Sequence, residues 1–303
     1  MKDLGSCLLP IIAAVLLAST RACTRTPVGF TTTPAPSTQS GDVERTLTVS
    51  GLARTYLLHI PTGLDRHRSV PLVFVFHGFA QSADVARRDT GFDEIADAGR
   101  FVVVYPNGTG SSPSWNAGGC CGYAAINNVD EAAFVREILS DLGTIAPFDA
   151  KRIYATGFAN GAMLAYRLAC EMSDTFAAIA PIAGVFFYYG PCQPKEPVSL
   201  IHVHGLSDQD VPYAGDGLSG YGEQYPPVEY GIATWVQLDG CTGAPQVEKE
   251  GDLTRTVYAP CRAGTAVELD TIAGLGHAWP VRSEGSAFSS RNIWDFFVAH
   301  PKP

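Results

Sequence analysis

Runs of β-branched and aromatic residues alternate with segments of helical spacing along most of the chain. Glu44 to His59 alternates apolar and polar positions on either side of Ser50-Gly51, which predicts two strands of a hairpin. Val70 to Phe76 (VPLVFVF) and Phe101 to Tyr105 (FVVVY) are near-continuous apolar runs, the pattern of strands buried on both faces. Arg152 to Thr156, Ala177 to Ile182, Leu200 to His204 and Val267 to Ile272 read as further strands. Apolar residues at helical spacing predict helices over Phe92–Ala98, Val129–Ile145, Ala162–Glu171, Gly231–Leu238 and Arg291–Ala299. Asp130 reads as a carboxylate favoured at a helix start. Strands that alternate with helices give an α/β class, with a mostly parallel central sheet and helices on both faces.

The amino end breaks this pattern. Leu8 to Ala18 (LLPIIAAVLLA) is an apolar run too short to span a bilayer comfortably but suited to a signal peptide, here residues 1–22. Cleavage after Ala22 would leave Cys23 first, so a lipoprotein is conceivable. Thr20 and Arg21 make a weak lipid-attachment motif, and plain export is the preferred reading. Residues 23–41, rich in Thr, Pro and Ser, read as an extended tether. Residues 42–303 then form one domain. No later stretch is long enough to cross a membrane.

Of eight cysteines, six remain once Cys7 and Cys23 are set aside, an even number that suits disulfides in an exported protein. Cys241 and Cys261 flank a predicted hairpin and are expected to pair. Cys120, Cys121, Cys170 and Cys192 would form two more bridges. Neighbouring Cys120 and Cys121 are each expected to reach a distant partner. No His sits at ligand spacing from these cysteines, so no metal is expected.

Composition narrows the function. A net charge of −9 argues against a nucleic-acid partner, and 46% hydrophobic with 17% charged residues excludes disorder throughout. Candidate chemistry collects just past the carboxyl ends of the apolar strands, where open α/β sheets bind ligands. Thr156-Gly157-Phe158-Ala159-Asn160-Gly161 joins a strand to a helix in the shape of a nucleophile elbow, which lifts one side chain above the sheet. The N–H of Asn160 would face a developing oxyanion, and that of Phe79, in His77-Gly78-Phe79, would supply the second donor. His204-Gly205-Leu206-Ser207-Asp208 and Gly274-Leu275-Gly276-His277 follow as acid and histidine loops, in the chain order of this fold. The raised residue is Ala159. A methyl group has neither a proton to give nor a lone pair to attack with.

The segments HGFAQSA, GFDEIADAGRFVVVYPNGTG, WNAGGCCG, NNVDEAAFVREI, RIYATGFANGAMLAYRLACE, HVHGLSDQDVPY and GLGHAWP resemble the exported α/β-hydrolase esterases of the polyhydroxybutyrate depolymerase-like and feruloyl esterase-like family. The likeness covers roughly residues 42 to 300. It implies an α/β-hydrolase fold and hydrolysis of carboxylic esters by Ser-His-Asp acyl-enzyme chemistry, without a cofactor. On this likeness Asp208 is the triad acid, in preference to Asp210, and His277 the general base. Phe79 and Asn160 form the oxyanion hole, and Ala159 stands where the family has its serine.

Trp115 is a candidate wall of the acyl pocket and His77 a candidate substrate contact, whereas Trp279 supports the histidine loop. His59, His67 and His202 read as structural or solvated, and Asn107 as a turn residue or glycosylation acceptor. The single-domain length lacks the appended polymer-binding module that the likeness associates with many extracellular depolymerases, so a smaller or more soluble ester is expected, acted on by a monomer. Two functions follow: an esterase disabled at one atom, or a non-catalytic ester- or polysaccharide-binding protein that reuses the cleft.

Overall fold

A computed structural model of the protein describes residues 41–65, 67–145, 147–220, 222–280 and 287–303. The signal-peptide and tether assignments and the question of Cys23 lie outside the described residues, except that Gly41 already belongs to the first strand. The elements in chain order are β1 (Gly41–Val49), β2 (Leu52–Ile60), β3 (Val70–Phe76), α1 (Ala83–Thr90), α2 (Phe92–Gly99), β4 (Val102–Pro106), α3 (Gly122–Ile126), α4 (Glu131–Leu142) and β5 (Phe148–Phe158). There follow α5 (Asn160–Glu171), β6 (Ala178–Ile182), β7 (Ser199–Gly205), α6 (Val228–Leu238), β8 (Gln246–Glu250), β9 (Leu253–Tyr258), β10 (Val267–Ile272) and α7 (Ser290–Ala299).

The ten strands form one sheet in the order β1-β2-β4-β3-β5-β6-β7-β10-β9-β8. From β4 to β10 every neighbouring pair is parallel. The hairpins β1–β2 and β8–β9 are the antiparallel flanks. Every residue of β3 is buried, because successive side chains enter different layers. Leu72, Phe74 and Phe76 join the core formed with α4, α5 and α6. Val73 and Val75 join the opposite core, with α1, α2 and α7. This two-sided burial is the physical reason the central strands read as unbroken apolar runs.

Asp130 caps α4, its side chain accepting the Ala133 N–H. The short helices α1 and α3 escape the apolar pattern because α1 carries five charged or hydroxyl residues in eight positions (ADVARRDT) and α3 is five residues long.

Cys241 bonds to Cys261 as expected. The other pairing is corrected: Cys170, at the end of α5, bonds to Cys192, and Cys120 bonds to its neighbour Cys121. With Cys170 taken by a loop 22 residues on and Cys241 by Cys261, no other cysteine among the described residues remains for the adjacent pair. Their Cα atoms are 3.1 Å apart across a cis peptide bond.

Candidate active site

Four parallel strands end at one rim, and each candidate residue lies just past one of them. After β5 the chain turns at Ala159, with φ 50° and ψ −112°, and enters α5. Such a backbone is strained for an L-residue and persists only where the surroundings impose it. They do: the Ala159 N–H donates to Ile182 O at 2.9 Å, and Ala159 O accepts the Met163 N–H at 3.0 Å. Glycine is required on both sides. A Cβ on Gly157 would lie 2.6 Å from the carbonyl of Gly161, and one on Gly161 would overlap Phe76 O and lie 2.6 Å from His77 O.

The acid and histidine loops are stitched together beyond β7 and β10. The Ser207 N–H donates to Leu275 O at 2.9 Å, and a side chain on Gly205 would overlap that same carbonyl. This brings His277 Nδ1 to 2.8 Å from Asp208 Oδ2. The other carboxylate oxygen of Asp208 accepts from the N–H groups of Val211 (2.8 Å) and Asp210 (3.0 Å). Burial opposes ionisation of Asp208, but the His277 and Val211 hydrogen bonds outweigh it and hold its carboxyl below the ordinary range. Asp210 contributes only backbone. An acceptor on Nδ1 makes that nitrogen the donor and leaves Nε2 of a neutral His277 bare, able to take a proton. The His277 ring packs on Phe158, the residue before the elbow, at 4.7 Å between centroids.

Past β3, Phe79 is half exposed, and no acceptor among the described residues takes its N–H. The N–H of Asn160, first in α5, has no intrahelical acceptor by position. Both N–H groups are thus left without a backbone acceptor among the described residues, one past β3 and one at the start of α5.

Two expectations meet buried side chains. His77 is buried where it lines the cleft beside the histidine loop, with both ring nitrogens engaged: its Nδ1 donates to Gly78 O at 2.7 Å and its Nε2 accepts the Gly108 N–H at 2.9 Å. Burial pushes its pKa down to about 4, so it stays neutral and pins the loop. Trp115 is also wholly buried and is no pocket wall. Its indole N–H donates to His77 O at 2.8 Å, because a polar tip in the core must find an acceptor.

A cleft of about 450 Å³ opens beside the histidine loop, lined by Gln81, Arg88, Thr90, Phe158, His277 and Trp279. Arg88 and Thr90 lie on α1, so sequence periodicity gave no signal for them. Trp279 supports its loop, its indole N–H donating to Ser290 at 2.9 Å. Asn107, just past β4, has its side chain bonded to Thr55 (3.0 Å) and to the Ala83 N–H (2.8 Å). Asp42, His59 and Asp93 hold ligand-capable atoms within 4.8 Å of one another. Arg87 already donates to both carboxylates there, and none of these residues belongs to the loops carrying Asp208 and His277.

The chain is similar in sequence and fold to known esterases. Residues 54–201 match the family model described as Esterase PHB depolymerase. Feruloyl esterase B of Piromyces equi is 29% identical over 253 residues, covering 80% of this chain and 44% of that protein. A bifunctional acetylxylan esterase/xylanase of Neocallimastix patriciarum is 27% identical over 248 residues, covering 81% of this chain and 33% of that protein. The chain thus spans less than half the length of both relatives. The solved acetyl xylan esterase from Aspergillus awamori shares the fold at a TM-score of 0.63 and 15% identity, over 85% of this chain and 99% of that one. The chain has the α/β-hydrolase fold, and over residues 54–201 it is similar to the polyhydroxybutyrate depolymerase-like esterases, with feruloyl and acetylxylan esterases among its relatives.

Proposed function

We propose that this chain is an exported carboxylic ester hydrolase in every part but its nucleophile, and that it binds esters while turning them over poorly. The supporting observation is the 2.8 Å hydrogen bond between His277 and Asp208, assembled beside an elbow that carries only a methyl group at Ala159.

The roles follow from the chemistry of each group. With a serine at position 159, Nε2 of His277 would take the hydroxyl proton as the oxygen attacks the ester carbonyl. Asp208 would orient the ring and stabilise the imidazolium. The N–H groups of Phe79 and Asn160 would hold the oxyanion of the tetrahedral intermediate. Collapse of that intermediate expels the alcohol, which takes the proton from His277, and water repeats the sequence to release the acid. With alanine in place, no covalent acyl-enzyme forms. Oxyanion and binding contributions alone leave roughly 10³–10⁴-fold catalysis over water, far below a working triad.

Export fits the apolar amino-terminal run and the disulfides, which persist in oxidising compartments. The relatives named above point to feruloyl or acetyl esters, and the family to hydroxyalkanoates, as the substrate class. The test is a panel of nitrophenyl butyrate, methyl ferulate, acetylated xylan and hydroxybutyrate oligomers, given to the unmodified chain and to Ala159→Ser. Binding by the unmodified chain with turnover restored in the variant supports the reading. Binding without restored turnover favours a non-catalytic binding protein. Fast turnover by the unmodified chain, insensitive to His277→Ala, contradicts both.

A further inference from the structure

Behind Asp208 lies a chain of polar side chains that the proposed reaction does not use. Tyr166 Oη is 2.8 Å from His202 Nδ1, His202 Nε2 is 3.1 Å from His204 Nδ1, and His204 Nε2 is 2.8 Å from Val211 O. The same His204 nitrogen lies 3.5 Å from Asp208 Oδ2, the oxygen that His277 contacts. All three side chains are buried. Two imidazoles and a phenol in a core stabilise a fold no better than aliphatic groups of equal volume would. Their presence asks for another explanation.

The direction of the chain is fixed by its far end. A carbonyl oxygen only accepts, so His204 Nε2 carries the proton. Burial keeps His204 neutral, so its Nδ1 is bare and accepts from His202 Nε2–H. Burial and the neighbouring ring keep His202 neutral too, so its own Nδ1 is bare and accepts the Tyr166 hydroxyl. Every proton points towards the acid loop.

Tyr166 belongs to α5, the helix that the elbow opens, whereas Asp208 belongs to the loop after β7. The chain therefore ties the helix of the nucleophile position to the turn that holds the acid. Val211 is the pivot: its carbonyl accepts from His204, and its N–H donates to Asp208 at 2.8 Å.

We propose that His204 is a positioning residue for Asp208, locked in its Nε2–H tautomer by His202 and Tyr166, and that it sets the carboxylate in line with His277. This deepens the proposed function and rests on it for the kinetic consequence alone; the geometric consequence stands in the unmodified chain.

Two measurements separate these. In the unmodified chain, proton NMR should show the Nδ1–H of His277 at low field, as a hydrogen bond to Asp208 requires. His204→Leu should move that signal upfield or broaden it away, His204→Gln should largely retain it because its amide N–H can still reach Val211 O, and Tyr166→Phe should shift it with the fold intact. In the Ala159→Ser background, His204→Leu should lower kcat by about 10- to 100-fold with KM within about twofold, the signature of a misplaced reacting group rather than lost binding. Should His204→Leu not fold, Tyr166→Phe carries both measurements, with a smaller loss of kcat. A His277 signal unmoved in folded His204→Leu or Tyr166→Phe overturns the proposal. So does an unchanged kcat in an active Ala159→Ser background. An inert Ala159→Ser variant instead counts against the proposed function, and the NMR result still decides the positioning role.

Discussion

The side-chain amide of Asn160 exchanges two hydrogen bonds with the backbone of Trp115: Oδ1 accepts the Trp115 N–H at 2.8 Å, and Nδ2 donates to Trp115 O at 3.1 Å. The Trp115 indole in turn donates to His77 O. One residue thus ties the first turn of α5 to the loop after β3, the two segments that carry the proposed oxyanion donors. Asn160→Ala leaves the Trp115 N–H unpaired in the core, while the Trp115 carbonyl keeps the Cys121 N–H at 3.3 Å. A loss of about 1–3 kcal/mol is expected for the buried group left unsatisfied. Urea unfolding of the variant checks this, and an unchanged midpoint would contradict it.

The elbow tolerates no side chain at position 161. Gly161→Ala would drive a methyl into the carbonyls of Phe76 and His77, which are backbone and cannot swing aside. The expected loss exceeds about 4 kcal/mol, the range of exceptional single substitutions. Denaturant titration showing less than about 1 kcal/mol would mean that the helix and β3 approach less closely than described.

These two cases show how far the sequence could be read. The Gly-x-x-x-Gly turn was legible because its spacing has one steric purpose. The apolar strands were legible because burial on both faces leaves no polar position, and the order of elbow, acid and histidine loops followed from chain order. Trp115 was misplaced because an aromatic in a Gly-rich loop carries no periodicity to tell which way it faces. His202 and His59 offered no partner in sequence because theirs are non-local: Tyr166 lies 36 residues from His202, and Asp42 lies 17 from His59. The Cys120–Cys121 pairing was missed because spacing does not show that Cys170 finds Cys192.

A buried ion pair stands behind the Trp115 loop. Arg54 lies 2.9 Å from Glu131, each side chain 1% exposed, and the other Glu131 oxygen accepts the Asn116 N–H at 3.1 Å. Burial raises the Glu131 pKa and Arg54 opposes that rise. Glu131→Ala would strand the guanidinium, at a cost of about 3–5 kcal/mol. Calorimetric unfolding tests it; a loss below about 1 kcal/mol would show that the charge finds water or another partner.

Asp239 contributes stability that grows as the pH falls from 8 towards 5, whereas His77, His202 and His204, held neutral by burial, remove stability as the pH falls through the ordinary histidine value. Burial of Asp239 raises its pKa to about 7, against the Val198 N–H that favours its ionised form. One of its oxygens has no partner. The folded chain therefore binds a proton there that the unfolded chain, titrating near 3.8, releases. This contribution is fully present below the unfolded value and is lost as pH rises through about 7. Asp208 and Asp141 act in the opposite sense, because their lowered pKa values remove stability as pH falls below the ordinary carboxylate range. Urea unfolding of the unmodified chain and of Asp239→Asn at pH 5 and pH 8 checks the Asp239 contribution: the stability difference between the two should shift towards the unmodified chain at pH 5. An equal slope in the variant would contradict the assignment.

On the proposed function, one missing oxygen separates this site from a working esterase. The rate of nitrophenyl ester hydrolysis by Ala159→Ser, relative to the unmodified chain, tests it most directly. A gain of about 10³-fold or more is expected, abolished again by adding His277→Ala. A folded Ala159→Ser variant no faster than its parent would contradict it.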